Sequence, residues 1–164
     1  MKYILYGLFS LILLSNCQNK PHNQIIKVVN YDELYNIVNT TDDILYVVNF
    51  WATWCVPCVQ EIPDFMHVNS QFLTNKNFKM ILVSLDKASD LDTRVKPFIE
   101  KKQITTDVYL LDDNKRMNMW IPETDKTWSG AIPATVLYKN GKKISFTEGS
   151  LTANELKNLI KKHL

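Results

Sequence analysis

Cysteine, clustered positive charge and long apolar runs are all scarce in this 164-residue chain. Three cysteines are too few to staple a miniprotein, and a chain of this length buries enough surface to fold without staples. Nineteen basic against 17 acidic side chains leave a net charge of +2, and no run of Lys or Arg stands out. No nucleic-acid partner is therefore expected. No apolar run reaches the about 20 residues that a membrane-spanning helix requires, and no repeat or low-complexity segment interrupts the chain. What is present is 46% hydrophobic and 22% charged residues, the composition of one globular core of ordinary size.

The N-terminus reads as an address. Met1-Lys2 gives a positive start and residues 3–14 (YILYGLFSLILL) form an apolar stretch of the length seen in secretory signals. Leu14-Ser15-Asn16-Cys17 resembles a bacterial lipobox, in which Cys17 becomes diacylated on sulfur and forms the mature N-terminus. Asn16 departs from the Gly or Ala usual at its position. The alternative is an uncleaved signal-anchor with an incidental cysteine; either way the domain faces an extracytoplasmic space. Residues 1–16 are thus assigned to a signal peptide, 17–24 to a lipidated, polar, proline-containing tether, and 25–164 to the folded domain. His22 is read as a solvated tether residue.

The body alternates strands and helices. Residues 25–29 read as a strand, and Tyr31 to Val38 as a helix capped by Asn30. Ile44 to Phe50 (ILYVVNF) is β-branched and aromatic without alternation, as expected for a strand buried on both faces at a sheet centre. A helix follows, with Pro63 removing one backbone donor. Residues 78–85 form a second buried strand, a helix carries Val95, Phe98 and Ile99, and residues 108–111 form a third strand. Residues 112–119 read as a short helix and 120–131 as irregular. Asn140-Gly141 joins two strands in a tight hairpin. Thr152 and Glu155 form a capping box for the last helix, with Leu151 and Leu156 as its hydrophobic staple. This order predicts an α/β fold with a central mixed sheet and helices on both faces.

Cys55-Val56-Pro57-Cys58 lies where the central strand hands over to a helix. Cysteines three apart in a first helical turn share one side, about 5–6 Å apart at Cβ, so a disulfide closes and opens with little backbone movement. Unpaired N–H groups and the positive end of the helix dipole favour a thiolate at Cys55. Pro57 stiffens the turn and lacks an N–H that has no partner there anyway. Cys55 is the expected attacking thiol and Cys58 the resolving one. Zinc binding remains an alternative, although His67 and His163 are isolated and a four-ligand site needs more. So does a purely structural disulfide, although a four-residue loop gains little from closure.

The strand-to-FWATWCVPC junction, Pro63 in the helix and Ile132-Pro133-Ala134-Thr135 before a strand resemble the thioredoxin fold. Cys55-Val-Pro-Cys58-Val-Gln-Glu61-Ile-Pro63, joined to an export signal, is similar to the TlpA/ResA-type membrane-tethered thiol-disulfide oxidoreductases. The resemblance implies a cis Pro133 against the cysteine pair, with the Ile132 backbone pairing to an extended substrate; a trans proline opening an edge strand is the alternative. Thioredoxins carry an Asp where this chain has Asn49, which takes up no proton. The resemblance implies Glu61 as the acid-base group, with burial raising its pKa; an ordinary exposed helix glutamate is the alternative. Trp51 is expected in the core and Trp54 over the disulfide edge. Trp120 and Trp128 either shape a substrate groove or cap the core.

The expected activity is thiol-disulfide exchange with protein substrates in the cell envelope, in the reducing direction and without a cofactor or metal. Trp54, Pro57, Ile132 and Pro133 form the expected substrate contact. The resemblance implies a membrane thiol protein as electron donor, an apocytochrome c among the clients, attachment to the bilayer through Cys17, and a monomer. Alternatives are an oxidase or isomerase of the same fold, a thiol peroxidase, for which only Cys17 lies outside the CxxC, and a metallochaperone binding metal through Cys55 and Cys58.

Overall fold

A computed structural model describes residues 24–164; the expected signal peptide, Cys17 and the expected tether up to residue 23 lie outside the described residues. Along the chain run β1 (Ile26–Val29), α1 (Tyr31–Val38), β2 (Leu45–Trp51), α2 (Val56–Phe72), β3 (Phe78–Ser84), α3 (Lys96–Lys101), β4 (Asp107–Leu111), α4 (Met117–Thr124), β5 (Ala134–Lys139), β6 (Lys142–Glu148) and α5 (Ala153–His163). They build one mixed sheet of order β1-β4-β3-β2-β5-β6. β1, β4, β3 and β2 run parallel, while β5 pairs antiparallel with β2 and β6 with β5.

Every residue of β2 is buried, because helices cover both faces of the sheet at its centre. The period of two along the strand sorts its side chains. Tyr46, Val48 and Phe50 pack with Leu34 and Val38 of α1 and Trp120 of α4. Leu45 and Val47 pack with Phe65 and Val68 of α2 and Leu156 and Ile160 of α5. Trp51 joins Ile62 of α2 and Ile99 of α3. Asn49 belongs by alternation to this second face, under α2.

Local signals set the ends of several elements. Asn30 and Glu33 close a capping box on α1, and Thr152 and Glu155 close one on α5. Asn140 and Gly141 adopt φ of 52° and 67°, the paired positive values of a tight hairpin turn. Gln24, the last residue assigned to the tether, is pinned by its amide to the carbonyls of Ile104 and Thr106.

Two helical segments differ from the sequence expectation. The helix after Asp90 begins as a 3-10 turn, Ala88–Asp90, and a π-type turn, Leu91–Val95, so that α3 is only six residues long. Pro97 has no N–H to give the turn before it, and the irregular turns lie directly ahead of it. The stretch expected to be irregular from Trp120 onward is helical as far as Thr124. Burial decides this: Trp120 is 2% exposed, stacks on Tyr31 and Phe50 and donates its indole N–H to the Asp113 carbonyl. That packing outweighs the helix-breaking tendency of Pro122.

Candidate active site

The junction from β2 to α2 is held by a buried carboxylate. Asp86, just beyond β3, is 1% exposed and accepts from the Thr53 backbone N–H (2.9 Å), the Thr53 hydroxyl (2.6 Å) and the Ser84 hydroxyl (2.8 Å). Leu85 N–H bonds the Trp51 carbonyl at 2.8 Å, extending the pairing of β2 with β3 into the loop. The loop therefore delivers Cys55 to a defined place, the N-cap of α2. Its carbonyl accepts from Val59 N–H (3.0 Å), and its sulfur accepts from Cys58 N–H (3.3 Å).

Cys55 and Cys58 form a disulfide with Cα atoms 5.3 Å apart. Cys55 is 5% exposed and Cys58 wholly buried, so the first sulfur is the one that solvent and partners reach. Pro57 lies in the first turn between them. The amide dipoles of a 17-residue helix converge on Cys55, an electropositive setting for sulfur.

Glu61 lies one turn beyond Cys58 on the same helix and is 5% exposed. One carboxylate oxygen, Oε1, accepts from Asn49 Nδ2 at 2.9 Å. The other, Oε2, accepts from the Leu151 backbone N–H at 3.0 Å. Burial pushes its pKa up to about 7, against the pull of the Leu151 and Asn49 donors. The exposed-glutamate alternative is thus overturned. A cavity of about 220 Å³, lined by Pro57, Gln60, Glu61, Asp64 and the segment 150–152, reaches this carboxyl.

The Ile132-Pro133 peptide is cis, and the Ile132 carbonyl lies 3.6 Å from the Cys55 sulfur. The trans alternative falls. Pro133 is buried and its carbonyl accepts from Gly149 N–H at 2.8 Å. Trp54, 58% exposed, and Val56, 66% exposed, project from the surface next to the pair. Trp54 and Ile132 border a groove of about 460 Å³ whose lining includes Leu85, Met117 and Trp120 and the charged Lys87, Asp90 and Arg94. Trp51 is fully buried. Trp120 and Trp128 cap the core, and Trp120 also lines the groove.

The AhpC/TSA family model matches residues 31–147. The chain belongs to that family. Similar proteins include the thiol-disulfide oxidoreductase ResA of Bacillus thuringiensis subsp. konkukian, 30% identical over 70% of this chain and 60% of its own length. The sporulation thiol-disulfide oxidoreductase A of Bacillus subtilis is 26% identical over 68% of this chain and 63% of its own. The chain spans about 60% of the length of the curated relatives it matches. Among solved structures, a thiol:disulfide interchange protein of Chlorobium tepidum superposes with a TM-score of 0.61 at 22% identity, covering 74% of this chain and 80% of that one. StoA of Bacillus subtilis gives 0.59 at 25% identity over 76% and 86%. The fold is thioredoxin-like.

The fold thus brings Cys55, Cys58, Glu61, Trp54, Pro57, Ile132 and Pro133 to one end of the sheet, at the C-terminal ends of its parallel strands. His67 lies on the exposed side of α2 beside Gln71 (2.9 Å). His163 is at the end of α5, where its carbonyl accepts from Lys139. Among the described residues no cluster of three or more His, Cys, Asp or Glu is placed to hold a metal ion, and no helix is long and apolar enough to cross a membrane. Sequence reasoning missed Asp86, Ser84 and Thr53. A Ser-x-Asp at the end of the apolar run Met80–Val83 was the available signal, since a buried carboxylate needs donors nearby.

Proposed function

We propose that this protein is a thiol-disulfide oxidoreductase that reduces disulfides in protein substrates by dithiol exchange. The observation that carries the reading is the closed Cys55–Cys58 pair at the mouth of α2, with the buried Glu61 one turn behind it. In the reduced protein the Cys55 thiolate attacks a substrate disulfide, forming a Cys55–substrate bond and releasing one substrate thiolate, which takes a proton from water. Cys58 then passes its proton to the Glu61 carboxylate and attacks Cys55 Sγ. The mixed disulfide breaks, the second substrate sulfur leaves and is protonated, and the enzyme retains the disulfide. Two electrons have moved from the cysteine pair to the substrate.

Geometry supports the assignment of roles. Cys55 is the accessible sulfur, and Glu61 titrates near neutrality, where a group that alternately takes and gives a proton is most effective. The substrate segment lies extended along the Ile132 carbonyl, against Pro133, Pro57 and Trp54, and directs a neighbouring side chain into the groove.

The relatives named as thiol-disulfide oxidoreductases support the activity, and the N-terminal sequence supports its place: export by residues 1–16, a lipid anchor at Cys17 and a tether to residue 24. In an oxidising compartment the electrons come from a membrane thiol protein, and an apocytochrome c is a fitting client.

The experiment is a redox titration of the chain together with a Cys58→Ser trap. Reversible two-electron behaviour and captured mixed disulfides through Cys55 are expected. Failure to capture any partner through Cys55 removes the reading.

A further inference from the structure

Unpaired positive charge gathers at the end of the sheet away from the cysteines. That end is made by the starts of β1, β3 and β4, the β5–β6 turn and the last turns of α2, α3 and α5. Lys76, Lys101, Lys102, Lys142, Lys161 and Lys162 stand there, and none of them forms an ion pair among the described residues. The aspartates of the same end are engaged elsewhere. Asp107 is held by Lys79 at 2.9 Å and Asp43 by Lys139 at 3.5 Å, while Asp42 accepts from the hydroxyls of Thr40 and Tyr46. Glu100, in the last turn of α3, is the remaining acid. The cysteine end is richer in acids: Asp32 and Glu33 open α1, Asp112 and Asp113 follow β4, Glu148 ends β6 and Glu155 lies in the first turn of α5.

We propose that this lysine end rests on an anionic phospholipid surface and holds the cysteine pair pointing away from the bilayer, toward protein substrates. The proposal rests on the reading of Cys17 as the point of membrane attachment. The first described residue, Gln24, is fixed at this same end by its hydrogen bonds to the carbonyls of Ile104 and Thr106. It follows Cys17 by seven residues, a length of chain that spans at most about 25 Å. A tether of that length sets a distance but leaves orientation free. Charge supplies the orientation, because attraction to lipid phosphates acts within about 8 Å at physiological salt.

Apolar side chains at the same end favour a bilayer over other polyanions. Ile25, just ahead of β1, is 42% exposed, and Leu73, at the end of α2, is 61% exposed. Aliphatic side chains among lysines suit the boundary between headgroups and acyl chains, whereas a single-stranded nucleic acid stacks its bases on aromatic rings. Helix dipoles account for only part of the lysine pattern, since Lys76 lies between α2 and β3 and Lys142 opens β6. The six lysines come from four separate segments, so the face exists only in the folded chain.

The test is lysine labelling of the full chain on vesicles. With Cys55 and Cys58 joined, Cys17 is the free thiol among the three cysteines and couples to a maleimide lipid, so attachment is fixed whether or not cells acylate it. The vesicles are phosphatidylcholine alone or an equal mixture with phosphatidylglycerol, and a water-soluble succinimidyl ester is mapped by mass spectrometry. On the anionic vesicles Lys76, Lys101, Lys142, Lys161 and Lys162 are expected to react about fivefold or more slowly than on phosphatidylcholine. Lys87 and Lys115, toward the cysteine end, are expected to react equally on both, and about 1 M NaCl is expected to abolish the protection. Each lysine strengthens the hold by about fivefold, so Lys142→Gln, Lys161→Gln and Lys162→Gln together weaken it by about a hundredfold and free Lys76 and Lys101. Equal labelling at both ends on anionic vesicles overturns the proposal, as does protection of the Lys87 end instead. Protection already complete on phosphatidylcholine and growing with protein density assigns the face to a second copy and overturns it. Protection by added RNA but not by the vesicles assigns it to nucleic acid, with the same result. None of these readouts depends on disulfide exchange or on acylation in the cell, so failure here is distinguishable from failure of the proposed activity and anchor.

Discussion

Replacing Glu61 with glutamine removes a buried charge while keeping the shape of the side chain. The rise from 4.5 to about 7, at about 1.36 kcal/mol per pH unit, corresponds to about 3 kcal/mol of folding free energy. Solvent reaching the carboxyl through the adjoining cavity screens the charge and brings the figure nearer about 2 kcal/mol. The sign follows from proton binding. Between pH 4.5 and about 7 the folded chain holds a proton that the unfolded chain has released, so stability falls as pH rises through that window and levels off above it. Glu61→Gln lacks this contribution. Urea unfolding of the disulfide form, with the unmodified chain and the variant compared at each pH, is expected to show the variant gaining about 2 kcal/mol on the unmodified chain across the window. Parallel stability curves for the two would refute the reasoning, because they mean that Glu61 titrates in the folded state as it does in the unfolded chain. In the reduced protein, the pH profile of thiol alkylation is expected to change in the same variant; an identical profile removes Glu61 from the mechanism.

Other outcomes follow from the same geometry. Alkylation of the reduced chain is expected at Cys55 before Cys58, since of the two residues only Cys55 has exposed surface; peptide mapping after brief exposure to iodoacetamide checks the order. Asp86→Ala strips partners from Thr53 N–H, Thr53 Oγ1 and Ser84 Oγ and is expected to destabilise by about 2–3 kcal/mol in urea unfolding. A loss under about 0.5 kcal/mol would mean that the loop holds without it. Trp54→Ala, at a 58% exposed position, is expected to leave stability within about 0.5 kcal/mol while raising KM for a protein disulfide with kcat little changed. Gly130→Ala is expected to lose about 1 kcal/mol, because φ is +90° and a Cβ there meets Ile121 Cδ1 at 3.2 Å; thermal unfolding reads it.

Features that depend on a few neighbouring residues were legible in the chain itself. The β-branched run of β2 announced a strand buried on both sides. Asn30 with Glu33 and Thr152 with Glu155 announced helix starts, and Asn140-Gly141 announced a hairpin. The cysteine spacing at a strand-to-helix junction announced the chemistry, since it fixes which sulfur caps the helix and which lies a turn behind. Each is settled by backbone geometry over three or four residues. Tertiary structure decided what those residues meet. The Ile132 carbonyl comes to Cys55 from 77 residues away, Leu151 N–H to Glu61 from 90, and Thr135 to Asn49 from 86. Trp120 buries deeply enough to carry α4 past the point where its sequence looks irregular, and Asp86 finds donors in a loop 33 residues earlier. Local pattern chooses the elements, but the charge state of a buried carboxyl and the partners of a buried amide depend on which distant atoms the sheet brings within hydrogen-bonding distance.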